Sequence, residues 1–516
     1  SSPPQPGPGY ETYSGLLYCL KTRRFTCRNA KGAKKVDGKD DSAERIMYNG
    51  RKERRIAMDN RYTLRIYDED LMTFSLAAKG LEGLKAEILD LNAEKRSLFP
   101  LDLEPTEEGI VSWLEKRVIP KNRQFVDEIL KTLGLSVNDT KGIMDVCMGL
   151  SLGDSYWVVP EGFEGKFDAY NLYENRFSEA LALVAYTGAR GSREAFSTSP
   201  ELTTNGMLRK AWRFIEGDGI YLYKGGTEGG ANTGNEPYSE YYACQIAKTM
   251  DLPCVSYDLE NWKGILASKC KLFTDKDTSF VPIGRILKKP TLKKCLDYYQ
   301  SLGEDFYEQM CSMLVFDAVI YNEDRHFGNF GLLRDNHTGK ILAPAPIFDN
   351  GLSLFNYAMP EDFKELDAYA KTRSNPYRVS YEEVCREVMG TKQKAQLRKL
   401  IGFTFTRHPS MNLPEERLTA IEKQIALRTR ELLAVSARTK VKETKEPVFL
   451  TKNGEGDAVI MDMETFNRRE KILELRENLL KIEENRMRGQ KGYSPEEVYD
   501  ILGKVIEEAA GEQKEI

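Results

Sequence analysis

Three residues set the problem: Asp324, Asn329 and Asp349, in the segments YNEDRHFGNFGLL (321–333) and APIFDNGLSLF (345–355). Both segments read as loops between short apolar runs. One carboxylate, Asp324, is suited to accept the proton of an attacking hydroxyl. An amide oxygen and a second carboxylate, Asn329 and Asp349, are suited to hold Mg²⁺ on the phosphates of ATP. Phosphoryl transfer is mostly positioning and charge neutralisation, so few residues are needed, but they must meet. His326 lies inside the first loop, where its ring can hydrogen-bond backbone or phosphate and set the loop's shape. Asp, Asn and Gly are also ordinary turn formers; the two segments together carry the reading.

Such chemistry needs a cation for the α and β phosphates. Lys224 ends the strand-like IYLYK, and Glu240 follows at the opening of SEYYACQIAKTM, a helical pattern over Ser239–Met250. Strand, loop and helix in that order let the two meet across a nucleotide pocket. The GGTEGGANTGNEP between them is dense enough in glycine to flex over phosphates. Upstream, SPELTTNGMLRKAW (199–212) offers Thr203, Thr204, Gly206 and Lys210 as a nest of amides, hydroxyls and one lysine. It reads equally as a phosphate cradle or as a plain polar loop.

The positioning elements follow from periodicity. YTLRI (62–66) alternates as a strand, and Thr106 precedes a helical run containing EEGIVSWLE. Helical spacing recurs over Phe125–Leu133 and Phe177–Tyr186, and KAWRFIEGDGIYLYKGG (210–226) reads as a β-hairpin. CVSYDL returns to strand. From Thr291 the pattern is helical, interrupted at 321–356 by a loop-rich, strand-poor core, and a long helix spans Glu415–Val435. SARTKVKETKEP then reads as a charged, semi-extended connector. VFLTKNGEGDAVIMDM is strand–turn–strand, and ETFNRREKILELRENLLKIEENRM is a long amphipathic helix whose apolar stripe needs a cover. Ser1–Gly9 is rich in Pro and Gly, and 1–45 reads as a disordered or extension segment.

Composition bounds the partners. Lys plus Arg at 75 against Asp plus Glu at 79 gives a net charge of −4, which excludes a globally basic nucleic-acid coat. No apolar run approaches the roughly 18 residues of a membrane helix. The 9 cysteines are dispersed with no CxxC pair, and with 3 histidines they argue for reduced thiols in a cytoplasmic chain without a zinc site. Cys244 and Cys311 read as buried fillers, and Trp212, Trp262, Tyr156 and Trp157 as core or pocket-wall aromatics. The run Lys288–Lys289…Lys293–Lys294 reads as a solvated helix start.

With these motifs in hand, residues 46–435 resemble the HipA-like kinases, relatives of the protein and phosphoinositide kinase folds. That pattern has a Thr/Gly loop, a strand Lys, a helix Glu, Asn-x-Asp-x-His-x-x-Asn and a later Asp. Here these are Thr203–Lys210, Lys224, Glu240, Asn322–Asp324–His326–Asn329 and Asp349. GLSLGDSYWVV (149–159) is similar to a stretch recurrent in that family. The resemblance implies an α+β, two-lobed kinase-like fold: a strand-rich N-terminal lobe with the nucleotide-binding part (46–275) and a helical C-terminal lobe (276–436). It also implies ATP and Mg²⁺ as cofactors, a Ser/Thr acceptor on a protein substrate, and a role as the toxin of a toxin–antitoxin system. Arg325 and Gly328 make the loop closer to the lipid-kinase form, which keeps a lipid or small-molecule kinase as an alternative. A non-enzymatic, DNA-binding regulator is the other.

The tail, 437–516, carries a second resemblance. EPVFLTKNGEGDAVIMDMETF (446–466) is similar to the Phd/YefM antitoxins, whose fold dimerises and binds operator DNA and whose later helix wraps a toxin. The first strand and helix of that fold are not evident here, unless 426–441 substitutes. The resemblance implies a β-hairpin–helix module that binds an antitoxin or toxin partner or self-associates.

Overall fold

The computed structural model describes residues 60–78, 83–189, 198–230, 232–444, 448–452, 455–461, 463–489, 494 and 497–500. The expected disordered or extension segment at 1–45 lies outside them, as do Cys19 and Cys27. The architecture is mixed α+β, with strands concentrated early in the chain and helices later.

Four strands open the described fold: β1 (Arg61–Ile66), β2 (Glu69–Ala78), β3 (Leu84–Leu91) and β4 (Tyr156–Pro160), in the antiparallel order β3-β2-β1-β4. Tyr62, Leu64 and Ile66 alternate inward along β1, the period a half-buried strand requires. They meet the apolar faces of α1 (Glu107–Glu115), α2 (Val126–Thr132), α3 (Thr140–Cys147) and α4 (Glu179–Thr187) in one core. Thr106 caps α1 by accepting the Gly109 N–H at 3.0 Å.

A second antiparallel sheet carries the candidate chemistry: β5 (Lys210–Ile215), β6 (Gly219–Gly225), β7 (Tyr257–Trp262) and β8 (Ile265–Lys271), ordered β5-β6-β8-β7. The hairpin expected at 210–226 is β5–β6. Helix α5 (Glu236–Thr249) starts earlier than Ser239, with Pro237 in its first turn, where a missing N–H costs nothing. It packs between two cores. Tyr242, Ala243, Ile246 and Ala247 join the helical region, while Cys244 meets Val255, Tyr257 and Cys270 under the sheet.

The helical region is built around α8 (Glu304–Ile320), which follows β9 (Thr278–Pro282), α6 (Ile283–Ile286) and α7 (Leu292–Leu302). Every residue of α8 from Met310 to Ile320 is buried, so this part of the helix has no solvent face, while its first turn, at Glu304 and Asp305, is exposed. The strand-poor reading of 321–356 is corrected by β10 (Gly331–Asp335) and β11 (Ile341–Pro344), which form a sheet in the order β11-β10-β9. Their apolar stretches, GLLRD and ILAP, are too short to show a period. Helices α9 (Leu366–Ala370), α10 (Tyr381–Val388), α11 (Thr391–Arg398) and α12 (Glu415–Thr444) complete this part.

Helix α12 runs past Val435 to Thr444, so the connector is helical over most of its length and not semi-extended. The reason is composition: Lys, Glu, Arg and Ala favour helix, and no breaker occurs before Pro447. Beside α12 lie β12 (Val448–Lys452) and β13 (Glu455–Ile460), the expected tail hairpin, followed by α13 (Met463–Met487). All described cysteines are free thiols, with Cys244 and Cys311 buried as read. Trp157 and Tyr156 are core aromatics. Among the described residues no helix is long and apolar enough to cross a membrane.

Candidate active site

One row of side chains crosses the second sheet. Lys210 on β5 pairs in register with Lys224 on β6, which pairs with Ser268 on β8. Opposite this row lies Glu240, one turn into α5 and fully buried. Lys224 Nζ donates to Glu240 Oε1, and Ser268 Oγ donates to the other oxygen of the same carboxylate. Lys224 also donates to Asp349 Oδ1 at 2.6 Å. A single lysine therefore joins sheet, helix and the later loop. Burial alone would discharge it, but Asp349 and Glu240 outweigh burial and hold it firmly protonated. Burial likewise opposes charge on Asp349, yet Lys224 and Lys210 pull it down to about 2. Glu240 is raised, because it is buried and shares its cation with Asp349.

The second half of the site grows from the end of α8. Tyr321 takes a left-handed conformation, φ 51°, which stops the helix. Asn322 then bonds back to Asp317 on that helix, through its own N–H and through Nδ2, both at 3.0 Å. Its Oδ1 accepts the Asp324 N–H at 3.0 Å. His326 Nδ1 accepts the Gly328 N–H at 3.0 Å, so the ring shapes the loop as the sequence suggested. Asn329 Nδ2 donates to the Asp324 carbonyl at 2.8 Å, which leaves Oδ1 as the end a cation would meet. The Asp324 carboxyl is raised by burial and by Asp349, against the pull of His326, which makes it a stronger base.

Arg325 ties the two loops together. It is 1% exposed and ion-paired with Asp317, Nη2 to Oδ1 at 2.9 Å. The same guanidinium donates to the Asn329 carbonyl at 3.2 Å, the Phe348 carbonyl at 2.5 Å and Asn350 Oδ1 at 2.5 Å. It thus grips the chain on either side of Asp349, whose own N–H is held by Tyr257 Oη at 3.1 Å. Asp349 sits at φ 56°, a conformation an L residue keeps only where its surroundings impose it.

Lys210, Lys224, Glu240, Asp324, Asn329 and Asp349 all line one cavity of about 980 Å³. Apolar walls come from Leu222, Val255, Phe273, Phe280 and Phe348, and Trp212 lines it as read. Thr203, Thr204 and Gly206 also reach the cavity, but the threonine hydroxyls are spent within the fold. Thr203 Oγ1 donates to the Leu150 carbonyl at 2.9 Å and Thr204 Oγ1 to the Pro200 carbonyl at 2.6 Å. What the loop offers the cavity is backbone and Lys210. The glycine-dense segment after β6 is fastened at its far end. Thr227 donates to Glu236 through N–H and hydroxyl, Tyr357 Oη donates to the same carboxylate, and Asn232 donates to the Tyr357 carbonyl.

Sequence reasoning missed Ser268, Tyr257, Glu236 and Asp317. The first three are placed by register and loop packing and carry no local signal. Asp317 did carry one: an acid in the otherwise apolar run MLVFDAVI.

No protein-family model matches the chain. It is 29% identical over 140 residues to the serine/threonine-protein kinase CtkA of Helicobacter pylori, covering 24% of this chain and 42% of that protein. The chain therefore spans less than half the length of that curated relative. Among solved structures, the proinflammatory kinase CtkA of Helicobacter pylori aligns with a TM-score of 0.40 at 19% identity, over 48% of this chain and 96% of that one. The HipA, HipB and operator DNA complex of Shewanella oneidensis aligns with a TM-score of 0.43 at 12% identity, over 73% of this chain and 99% of that one. Both structural likenesses are partial.

Proposed function

We propose that this chain is an ATP-dependent kinase that transfers the γ-phosphoryl group to a serine or threonine hydroxyl of a protein. The observation that carries the reading is Lys224 joined to both Glu240 and Asp349 in a cavity that also receives Asp324 and Asn329. The limited similarity to a serine/threonine kinase supports the acceptor class.

The residues fit nucleotide and metal. Lys224 is held charged, Asp349 is held ionised, and Asn329 keeps its amide oxygen available. Among the described residues no cluster of three or more His, Cys, Asp or Glu side chains is placed to hold an ion alone. That suits Mg²⁺, which binds through one or two carboxylates together with phosphates and water. Asn329 and Asp349 would hold it, and it would neutralise phosphate charge. Lys224 would exchange Asp349 for phosphate oxygens while Glu240 keeps its ammonium in place. Asp324 orients the acceptor hydroxyl and receives its proton.

The lipid-kinase alternative loses one of its two supports. Arg325 is buried and its donors are engaged by Asp317, Asn329, Phe348 and Asn350, so it contacts no acceptor. The non-enzymatic alternative is disfavoured by the assembled Asp324, Asn329 and Asp349. The HipA resemblance extends the proposal to the toxin of a toxin–antitoxin pair, with the tail at 437–516 as an antitoxin-like segment.

Incubating the chain with γ-labelled ATP, Mg²⁺ and a cell lysate, then identifying labelled species by mass spectrometry, tests the proposal. Label on serine or threonine that disappears in Asp324→Asn is expected. Wild-type labelling by that variant rules the assignment out.

A further inference from the structure

Two lysines face each other across β5 and β6, an arrangement that antiparallel ladders disfavour because like charges repel. Lys224 is compensated by Glu240 and Asp349. Lys210 is not. Its Nζ donates to the Asn205 carbonyl at 2.9 Å, and among the described residues no carboxylate lies within ion-pair distance of it. It is 7% exposed, and it lines the cavity. Above it Gly206, at φ 95°, makes room for the amine, since a Cβ there would collide with Lys210 Nζ.

The charges that face this amine come from every side. Lys224 lies on the neighbouring strand, and Arg123 donates to the carbonyl of Lys210 itself at 2.8 Å. Arg123 is in turn ion-paired with buried Glu201. Asp349 and Glu240 act from farther away across the cavity. Burial, then Lys224, then Arg123 push the proton off, and Asp349 and Glu240 do not restore it, so the amine titrates at about 7. A polyphosphate placed beside it would reverse that balance, because it brings several negative charges into a site with one uncompensated amine.

We propose that nucleotide enters this cleft together with a proton, taken from solvent by the Lys210 amine as the phosphates arrive. The inference rests on the nucleotide-binding reading above. Lys210 is then only partly charged in the empty cleft near neutral pH and a second phosphate-binding cation in the filled one. Binding that takes up a proton weakens as pH rises above the free amine's titration, by up to about tenfold per pH unit. Ligands with fewer phosphates take up less of the proton, so the site favours nucleoside polyphosphates over nucleosides.

Calorimetric titration of ATP and Mg²⁺ into the full chain tests this, run in two buffers of different ionisation enthalpy. At about pH 8, where the nucleotide's own phosphates are fully ionised, the observed enthalpy should change with buffer by the amount for close to one proton taken up. At about pH 6 the uptake by the amine should be lost, the amine being protonated beforehand, which leaves only the proton the nucleotide's own terminal phosphate exchanges. Lys210→Arg should bind without proton uptake, since a guanidinium does not titrate in this range. Buffer-independent heat at the higher pH, or undiminished uptake by Lys210→Arg, overturns the inference and leaves nucleotide binding standing. No binding at either pH overturns both.

Discussion

Arg325 shows what one buried side chain does here that no exposed one could. Its guanidinium bonds to α8 through Asp317 and to both loops that carry the candidate metal ligands. Removing it outright strands the Asp317 carboxylate in the core, a loss of about 3–5 kcal/mol. Arg325→Lys is the sharper variant, because it keeps the charge and loses the fork that reaches the Phe348 and Asn350 partners. Labelled-phosphate transfer should fall by roughly 10²-fold, the scale of an ångström of misplacement, with ATP binding retained. Equal loss of binding and turnover would make Arg325 merely structural. At the base itself, Asp324→Asn should cost at least about 10²-fold in turnover with little change in Tm, read by thermal shift beside the kinase assay. Lys224→Met should weaken ATP in calorimetry, and an unchanged titration would demote Lys224 to a scaffold residue.

At the scale of elements, the loop between β6 and α5 is the part most open to test. A Cβ on Gly226 would lie 2.6 Å from the Gly234 Cα and 2.7 Å from Glu236 Oε2, so the two arms of the loop touch where only glycine fits. Gly226→Val must push the loop away from the Glu236 carboxylate that fastens it. We expect kcat/KM for ATP to fall by about tenfold, or about 1.4 kcal/mol, carried mainly by KM. Steady-state kinetics at varied ATP separates that from a loss carried by kcat, which would place the loop's role in the chemical step. Helix α12 makes the complementary point. Its last turns read as a tether because they are charged and lack apolar periodicity, yet nothing in them breaks a helix.

At the scale of the molecule, α13 presents an open apolar stripe. Ile472, Leu475, Leu479 and Ile482 are 56–61% exposed, so among the described residues the body does not cover them. Their alternating spacing of three and four is the seam of a helix that pairs with another helix. A chain ending at 444 should therefore sediment or scatter as a smaller assembly than the full chain while keeping whatever phosphoryl transfer the full chain shows. An unchanged assembly state would show that the stripe pairs with no second copy.

The residue set of the candidate site was legible in the sequence, because phosphoryl transfer restricts residue types so narrowly that Asp324, Asn329, Asp349, Lys224 and Glu240 stand out by kind and order. So were the β5–β6 hairpin and the tail hairpin, whose alternating runs and turn residues are local signals. The β9–β11 sheet was not, since its strands are short and β9 meets β10 only across a long stretch of intervening chain. Nor was the role of Arg325, whose side chain could equally have faced an acceptor until packing turned it into the core. Lys210 is the clearest case. Sequence offered it either as a cation in a phosphate cradle or as part of a plain polar loop, but whether a lysine carries its charge depends on burial and on which charges face it. Those are properties of the register between strands and of the cavity around them, and only the tertiary structure decides them.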